Sequence, residues 1–294
     1  MRLVGLMPVR NEDWVLEASI AAALLWCDDL VILLHACDDD SEDIAHAARD
    51  ATGRVHVYYN TDPVWQEMHH REALLRLGRS HGGTHFALVD ADEILTANAV
   101  LGIRAEVCQL MAGECLDVPM IPVWGGLDAQ RADHCVWTRS WLTVAFRDCP
   151  ALSWQPLHDG YQHHHRSPFA SLPTARRPVA GTLQRRGGIS TGGVMHLQFA
   201  DRARLRAKHA LYKMQEVLRW PDRESVEDVD AKYNQALNEE GLVLKPVPPE
   251  WWSGHKKNLI RIGVEPWQRA ECRKLLSKWG PERFQGLTLW GEHL

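Results

Sequence analysis

The chain has seven cysteines, an odd number, and none of them forms a CxxC pair. That spacing argues against a zinc ribbon and a disulfide scaffold, and points to a reducing compartment, the cytoplasm. No apolar run approaches the roughly eighteen residues that a membrane span requires. The opening MRLVGLMPVRNED reaches charged residues too soon for a secretory leader. Internal repeats and low-complexity tracts are absent. Acids are missing from one stretch: residues 160–200 hold no Asp or Glu, against five arginines and four histidines. What is present is enough for a sizeable core. The 294 residues are 45% hydrophobic and 24% charged, a soluble composition that excludes wholesale disorder and allows one large domain or a core with a smaller subdomain.

Charge is unevenly spread. The net charge is −5, with 25 basic against 34 acidic side chains in residues 1–250 and 8 against 4 in residues 251–294. The short positive segment also carries five of the thirteen tryptophans: Trp251, Trp252, Trp267, Trp279 and Trp290. The overall balance does not suggest a nucleic-acid binder. This tail and the acid-free stretch are nevertheless two local places where phosphates can be met.

Residues 1–100 alternate short β-rich runs with helical patterns. Residues 2–7, 30–35, 54–59 and 85–90 have strand length and composition, while 14–26, 41–50 and 65–79 carry apolar residues at helical spacing. This rhythm predicts an α/β fold with a mainly parallel sheet and right-handed crossovers. Ligands in such sheets bind beyond the carboxyl ends of the strands, where three polar clusters fall: 8–13, 37–43 and 90–93. Farther on, 115–123 and 141–147 read as strands, 161–193 as loop, 201–220, 226–238 and 268–278 as helices, and 246–249 (PVPP) as a rigid linker. The expected division is a catalytic domain over 1–200, in halves 1–100 and 101–200, followed by a helical subdomain over 201–294.

The sharpest local signal is HFALVDADE at 85–93. An apolar strand runs out into Asp90, Ala91 and Asp92, and the i, i+2 spacing projects both carboxylates to one side of an extended chain. Clustered carboxylates repel unless a cation or proton lies between them. Hard oxygen ligands suit Mg²⁺ or Mn²⁺, which leave coordination positions for substrate phosphates. An acidic turn after a strand is the plain alternative.

Three blocks follow one another in order: MPVRNEDWVLEASIAAALLWCDDLVIL, HACDDDSEDIAHAA and MHHREALLRLGRSHGGTHFALVDADEIL. Together they resemble the nucleotide-binding half of a family 2 glycosyltransferase with the GT-A fold, a Rossmann-like sheet flanked by helices. The resemblance covers 1–100 well and 150–215 more loosely. It implies an inverting enzyme that takes a sugar from a nucleoside-diphosphate sugar, a UDP-sugar first. The acceptor hydroxyl would belong to a glycan or to a hydroxymethylated base of phage-type DNA, which would have to leave the duplex stack.

Residue by residue, the resemblance places Pro8, Val9, Arg10, Asn11 and Glu12 at the nucleotide base, and Asp38 and Asp39 in a loose "StD.T" turn. Arg71 matches an arginine on the helix before the DxD, which Asp90, Ala91 and Asp92 supply. Many members carry an aspartate for uracil where this chain has His35; Asp38 or Asp39 can substitute. Arg10 to Glu12 also read as a strand-to-helix turn capped by Asn11 or Asp13. Trp154 to Asp159 resembles the "W…HE" segment, which would put His158 beside the acceptor and make Asp159 the base that takes the acceptor proton. Asp159 before glycine equally suits a turn. His196, ending a short apolar strand, would complete the metal shell with Asp90 and Asp92, or sit satisfied and half-buried.

The His163-His164-His165 run lacks zinc-ligand spacing and reads as exposed loop. The arginine-rich 160–190 segment is suited to closing over a diphosphate, steering a phosphorylated acceptor, or standing solvated. Core packing is the default for the C-terminal tryptophans. The adjacent Trp251 and Trp252 are harder to bury together, so at least one ring is expected to be exposed and to stack on acceptor. Two rivals stand beside the transferase: a nucleotidyltransferase on a similar core, and a non-enzymatic nucleic-acid-binding module.

Overall fold

The computed structural model describes residues 1–154, 166–168, 176–178, 183–186 and 189–291. His158, Asp159 and the histidine run at 163–165 lie outside the described residues. The chain opens with β1 (Leu3–Val9), α1 (Leu16–Ala23), β2 (Asp29–His35), α2 (Ser41–Thr52), β3 (Val55–Asn60), α3 (Glu67–Ser80) and β4 (His85–Leu88). It continues through β5 (Glu93–Leu95), α4 (Ala97–Cys108), β6 (Cys115–Pro122), β7 (Ala129–Arg131), α5 (Val136–Arg139) and β8 (Trp141–Arg147). Short strands β9 (Arg176–Pro178), β10 (Arg185–Arg186), β11 (Ile189–Ser190) and β12 (Val194–His196) precede α6 (Arg202–Arg219), α7 (Val226–Asn234), β13 (Leu244–Pro246) and α8 (Trp267–Trp279).

One sheet has the order β3-β2-β1-β4-β8-β6-β12-β5, with β9 pairing beside β6. β3, β2, β1 and β4 are mutually parallel. β8 runs against both β4 and β6, and β12 runs parallel to β6 with β5 antiparallel to it. This mainly parallel, helix-flanked sheet is the Rossmann-like GT-A arrangement. β1 and β2 are buried along their whole length, as expected of parallel strands covered on both faces. The strand directions bring the carboxyl ends of β1, β2, β4 and β12 to one edge. There Glu93 faces His196 across the β5–β12 pair. Gly193 lets β12 reach this position: a Cβ there, at φ +151°, would lie 2.1 Å from the Pro119 carbonyl oxygen.

The C-terminal segment is built onto this sheet. Asp201 caps α6 by accepting from the backbone N–H of Ala203 and Arg204, and its second oxygen accepts from Gly263 N–H at 2.8 Å. α6 then packs on α8 through Ala210, Leu211, Met214 and Cys272. Two expectations are corrected here. The 246–249 linker begins as strand, since β13 pairs antiparallel with β7. Trp251 and Trp252 are both buried, at 4% and 8% exposure. They share one apolar cluster with Trp14, Ile94, Ile121 and Met195, so neither ring offers a free face for acceptor. Among the described residues, no helix is long and apolar enough to cross a membrane.

Candidate active site

A cavity of about 510 Å³ opens where the strand ends meet α6, within the size range of small-molecule sites. Pro8, Arg10 and Glu12 enter it from the end of β1, Asp90, Ala91 and Asp92 from the end of β4, and His196 from the end of β12. Arg71 reaches it from α3. The remaining candidates stand behind this surface. Val9 is core. Asn11 takes a left-handed backbone conformation (φ 54°), which Asn tolerates better than most residues, and its amide both donates to Asp38 Oδ1 (2.5 Å) and accepts from Asp38 N–H (2.9 Å). Asp39 accepts from the N–H groups of Asp13 and Ser41. Asp38 and Asp39 therefore lace the β1 and β2 loops together and do not line the cavity. His35 is fully buried, packed against Trp65 and His70 at ring distances of 5.2 and 4.4 Å. It supports Trp65, which does line the cavity.

The acids of the DxD run do not share one cation. Asp90 meets Arg71 at 3.3 Å and Arg166 at 3.1 Å. Arg166 also forks onto Glu93 at 2.7 and 2.5 Å, and donates to the carbonyls of Leu88 and Thr143. This first arginine of the acid-free stretch is thus engaged by the sheet's own carboxylates. Asp92 Oδ2 meets Lys208 Nζ at 3.1 Å and His196 Nε2 at 3.6 Å. The Asp92 backbone is fixed too, its carbonyl accepting from Leu197 N–H at 2.8 Å. Three carboxylates are met by three permanent cations. Burial alone would raise both aspartates, but Lys208 and His196 hold Asp92 well below the usual carboxylate range, and Arg71 with Arg166 lower Asp90.

Tested against the metal that the resemblance implies, this donor set does not fit a Mn²⁺ or Mg²⁺ centre. No group of three or more His, Cys, Asp or Glu converges among the described residues. Asp90 is turned to arginines, and the oxygen of Asp92 nearest His196 already carries an ammonium.

Lys208 belongs to a wall that the apolar pattern of α6 conceals. Lys208, Leu211, Tyr212 and Gln215 recur at helical spacing along one side of the cavity. The sequence marks 201–220 as a helix without singling out Lys208 or Tyr212. The missed signal was a lysine one turn before a tyrosine, on a helix with no exposed residue after Arg206. Aromatic walls come from Trp65, Trp137 and Trp267, with the Arg10 guanidinium 5.0 Å from the Trp267 ring centre. Arg10 also donates to the Pro63 carbonyl at 2.9 Å.

Glu12 accepts from Trp14 Nε1 at 2.6 Å. Burial, and then the charge of Asp92, raise its carboxyl to about 7. A raised folded-state value means that stability is fully present below the unfolded value and is lost as pH rises through the folded one. Glu12→Gln removes that loss. The stability of the variant relative to wild type is expected to grow as pH rises from about 4.5 to about 7. Chemical denaturation of both proteins across that range checks it, and a constant difference sinks the assignment. His35 and His70 add an opposite slope to both proteins: burial lowers them to about 4 and about 3, so their contribution fades on acidification and cancels in the comparison.

No protein-family model and no curated protein sequence matches the chain. Among solved structures, glucosyl-3-phosphoglycerate synthase from Mycobacterium tuberculosis, in complex with Mn²⁺, uridine diphosphate and phosphoglyceric acid, is similar over 41% of this chain and 43% of its own. The identity is 20% and the TM-score 0.30. 4-Diphosphocytidyl-2C-methyl-D-erythritol synthase is similar over 50% of this chain and 75% of its own, at 16% identity and a TM-score of 0.33. The chain spans less than half the length of the mycobacterial synthase. The ground for the fold is its strand order.

Proposed function

We propose that this protein is a transferase of the family 2 kind, moving a sugar from a nucleoside-diphosphate sugar to an acceptor hydroxyl with inversion at the anomeric carbon. The observation that carries the reading is the meeting, in one cavity at the strand ends, of Arg10 and Glu12, the Asp90–Asp92 turn, His196 and Lys208 between tryptophan walls. Trp65 and Trp267 offer flat faces to a nucleobase, and stacking of a base on an aromatic ring contributes about 1–3 kcal/mol. Lys208, at the same surface as Asp92 and His196, is placed to meet a diphosphate. Glu12, in part protonated near neutral pH, can donate as well as accept a hydrogen bond with a sugar or ribose hydroxyl.

The base for the acceptor hydroxyl is Asp159 in this proposal. It follows Trp154, whose ring is fully buried and whose backbone N–H donates to Glu72 Oε2 at 2.8 Å. The step breaks the bond between the anomeric carbon and the diphosphate oxygen as the acceptor oxygen bonds from the opposite side. The acceptor proton passes to the base.

The test is a panel of nucleoside-diphosphate sugars scored for binding and for slow release of nucleoside diphosphate. Saturable binding of one donor with release of its nucleoside diphosphate is expected. Release of pyrophosphate from a nucleoside triphosphate would instead establish a nucleotidyltransferase. A salt-dependent nucleic-acid gel shift with no turnover of any nucleotide sugar would establish a binding module.

A further inference from the structure

We propose that Lys208 supplies the positive charge that a divalent metal would bring to the Asp92 carboxylate, so that the donor diphosphate is held, and released, without a metal ion. The inference rests on the transferase reading above and concerns its cation. The Lys208 ammonium lies 3.1 Å from Asp92 Oδ2, the oxygen that also faces His196, and it lines the cavity together with both. A divalent cation at that oxygen would have to displace the ammonium or stand in contact with it, and like charges at such a distance repel strongly inside a protein. The other acids of the turn, Asp90 and Glu93, need no further cation, because Arg71 and Arg166 already face Asp90, and Arg166 faces Glu93.

The position is rigid. Asp201 caps the start of α6 and ties it to Gly263, and Ala210, Leu211 and Met214 pack the helix on α8. Lys208 therefore projects from a fixed helix with three donor hydrogens, of which Asp92 takes one and the cavity can take the others. In the transfer step the electron pair of the breaking bond to the anomeric carbon moves onto the diphosphate oxygen. The acceptor proton goes to the base, and the ammonium stays charged throughout, facing the oxygen where negative charge accumulates.

Calorimetry separates this inference from the reading beneath it. The probes are inorganic pyrophosphate, which needs no base recognition, and the diphosphates of uridine, guanosine, adenosine and cytidine, each titrated with EDTA or with MnCl₂. Wild type is expected to bind pyrophosphate and at least one nucleoside diphosphate in EDTA, within about threefold of the affinity in Mn²⁺. Lys208→Met is expected to lose at least tenfold in EDTA, with Lys208→Arg staying near wild type. If the methionine variant fails to fold, the arginine variant and the wild-type comparison still decide the matter. Binding by wild type that appears only with Mn²⁺ overturns the role of Lys208 and leaves the transferase reading intact, as does full affinity of the methionine variant in EDTA. Failure of every nucleoside diphosphate to bind under either condition overturns the transferase reading itself.

Discussion

Asp92→Asn is expected to lower the rate of transfer, or of slow donor hydrolysis, by roughly 10²–10³, the range seen when one preorganised electrostatic group is removed from an active site. Asn keeps the shape of the side chain and leaves the Asp92 carbonyl on Leu197, but it removes the charge that positions Lys208 and His196. Lys208 then has no anion to hold its ammonium at the cavity wall. Its side chain is 17% exposed, so it can turn towards water and need not stay buried unpaired. The loss should therefore appear mainly as activity, with a smaller loss of stability than the 3–5 kcal/mol or so expected on breaking a fully buried pair. Donor turnover and a thermal melt on the same preparation check both halves. A variant retaining more than about a tenth of wild-type turnover, equivalent to roughly 1.4 kcal/mol of barrier, removes Asp92 from the mechanism.

How much of this was legible in the sequence differs between the two ends of the chain. β1 and β2 were readable because parallel strands covered on both faces are nearly continuous apolar runs, as in LVGLMPV and the LVILL of DLVILLH. The DxD turn was readable because acids directly after such a strand stand out. The partners of those acids were not. Arg166 and Lys208 lie 76 and 116 residues from the aspartates they meet, and no local pattern encodes a contact at that distance. Reading 201–220 simply as a helix also passed over the side that carries Lys208 and Tyr212. Asp38 and Asp39 were placed at the right strand end, but a short acidic side chain beside exposed backbone N–H groups caps and cross-links a loop as readily as it meets a ligand.

The adjacent tryptophans show a rule applied to the wrong geometry. Facing apart is what neighbours do in a strand, but Pro249–Trp252 is a single 3₁₀ turn. At about three residues per turn, successive side chains diverge by roughly 120° instead of 180°, so both rings can enter one groove. Trp251 packs in the cluster that also holds Trp14 and Met195. Trp252 does the same while its indole N–H donates to the Leu127 carbonyl at 3.2 Å.

Truncating Trp251 consequently removes core and not a binding face. Trp251→Ala is expected to destabilise the protein by about 3–5 kcal/mol, the usual cost of deleting a buried large aromatic. For a chain of this size that lowers the melting temperature by roughly 10 °C. Because the ring lies in the layer that joins the C-terminal segment to α1 and β12, the lost cohesion should loosen the tail where it rests on the sheet. At temperatures well below the melt, the apparent KM for acceptor should stay at the wild-type value, since the ring touches no cavity surface. Trp251→Phe, which keeps most of the buried apolar volume, should recover much of the stability. Thermal melts of the two variants and an acceptor titration at low temperature decide between core and recognition. If Trp251→Ala melts within about a degree of wild type and yet loses acceptor affinity, the ring belongs to the acceptor surface after all.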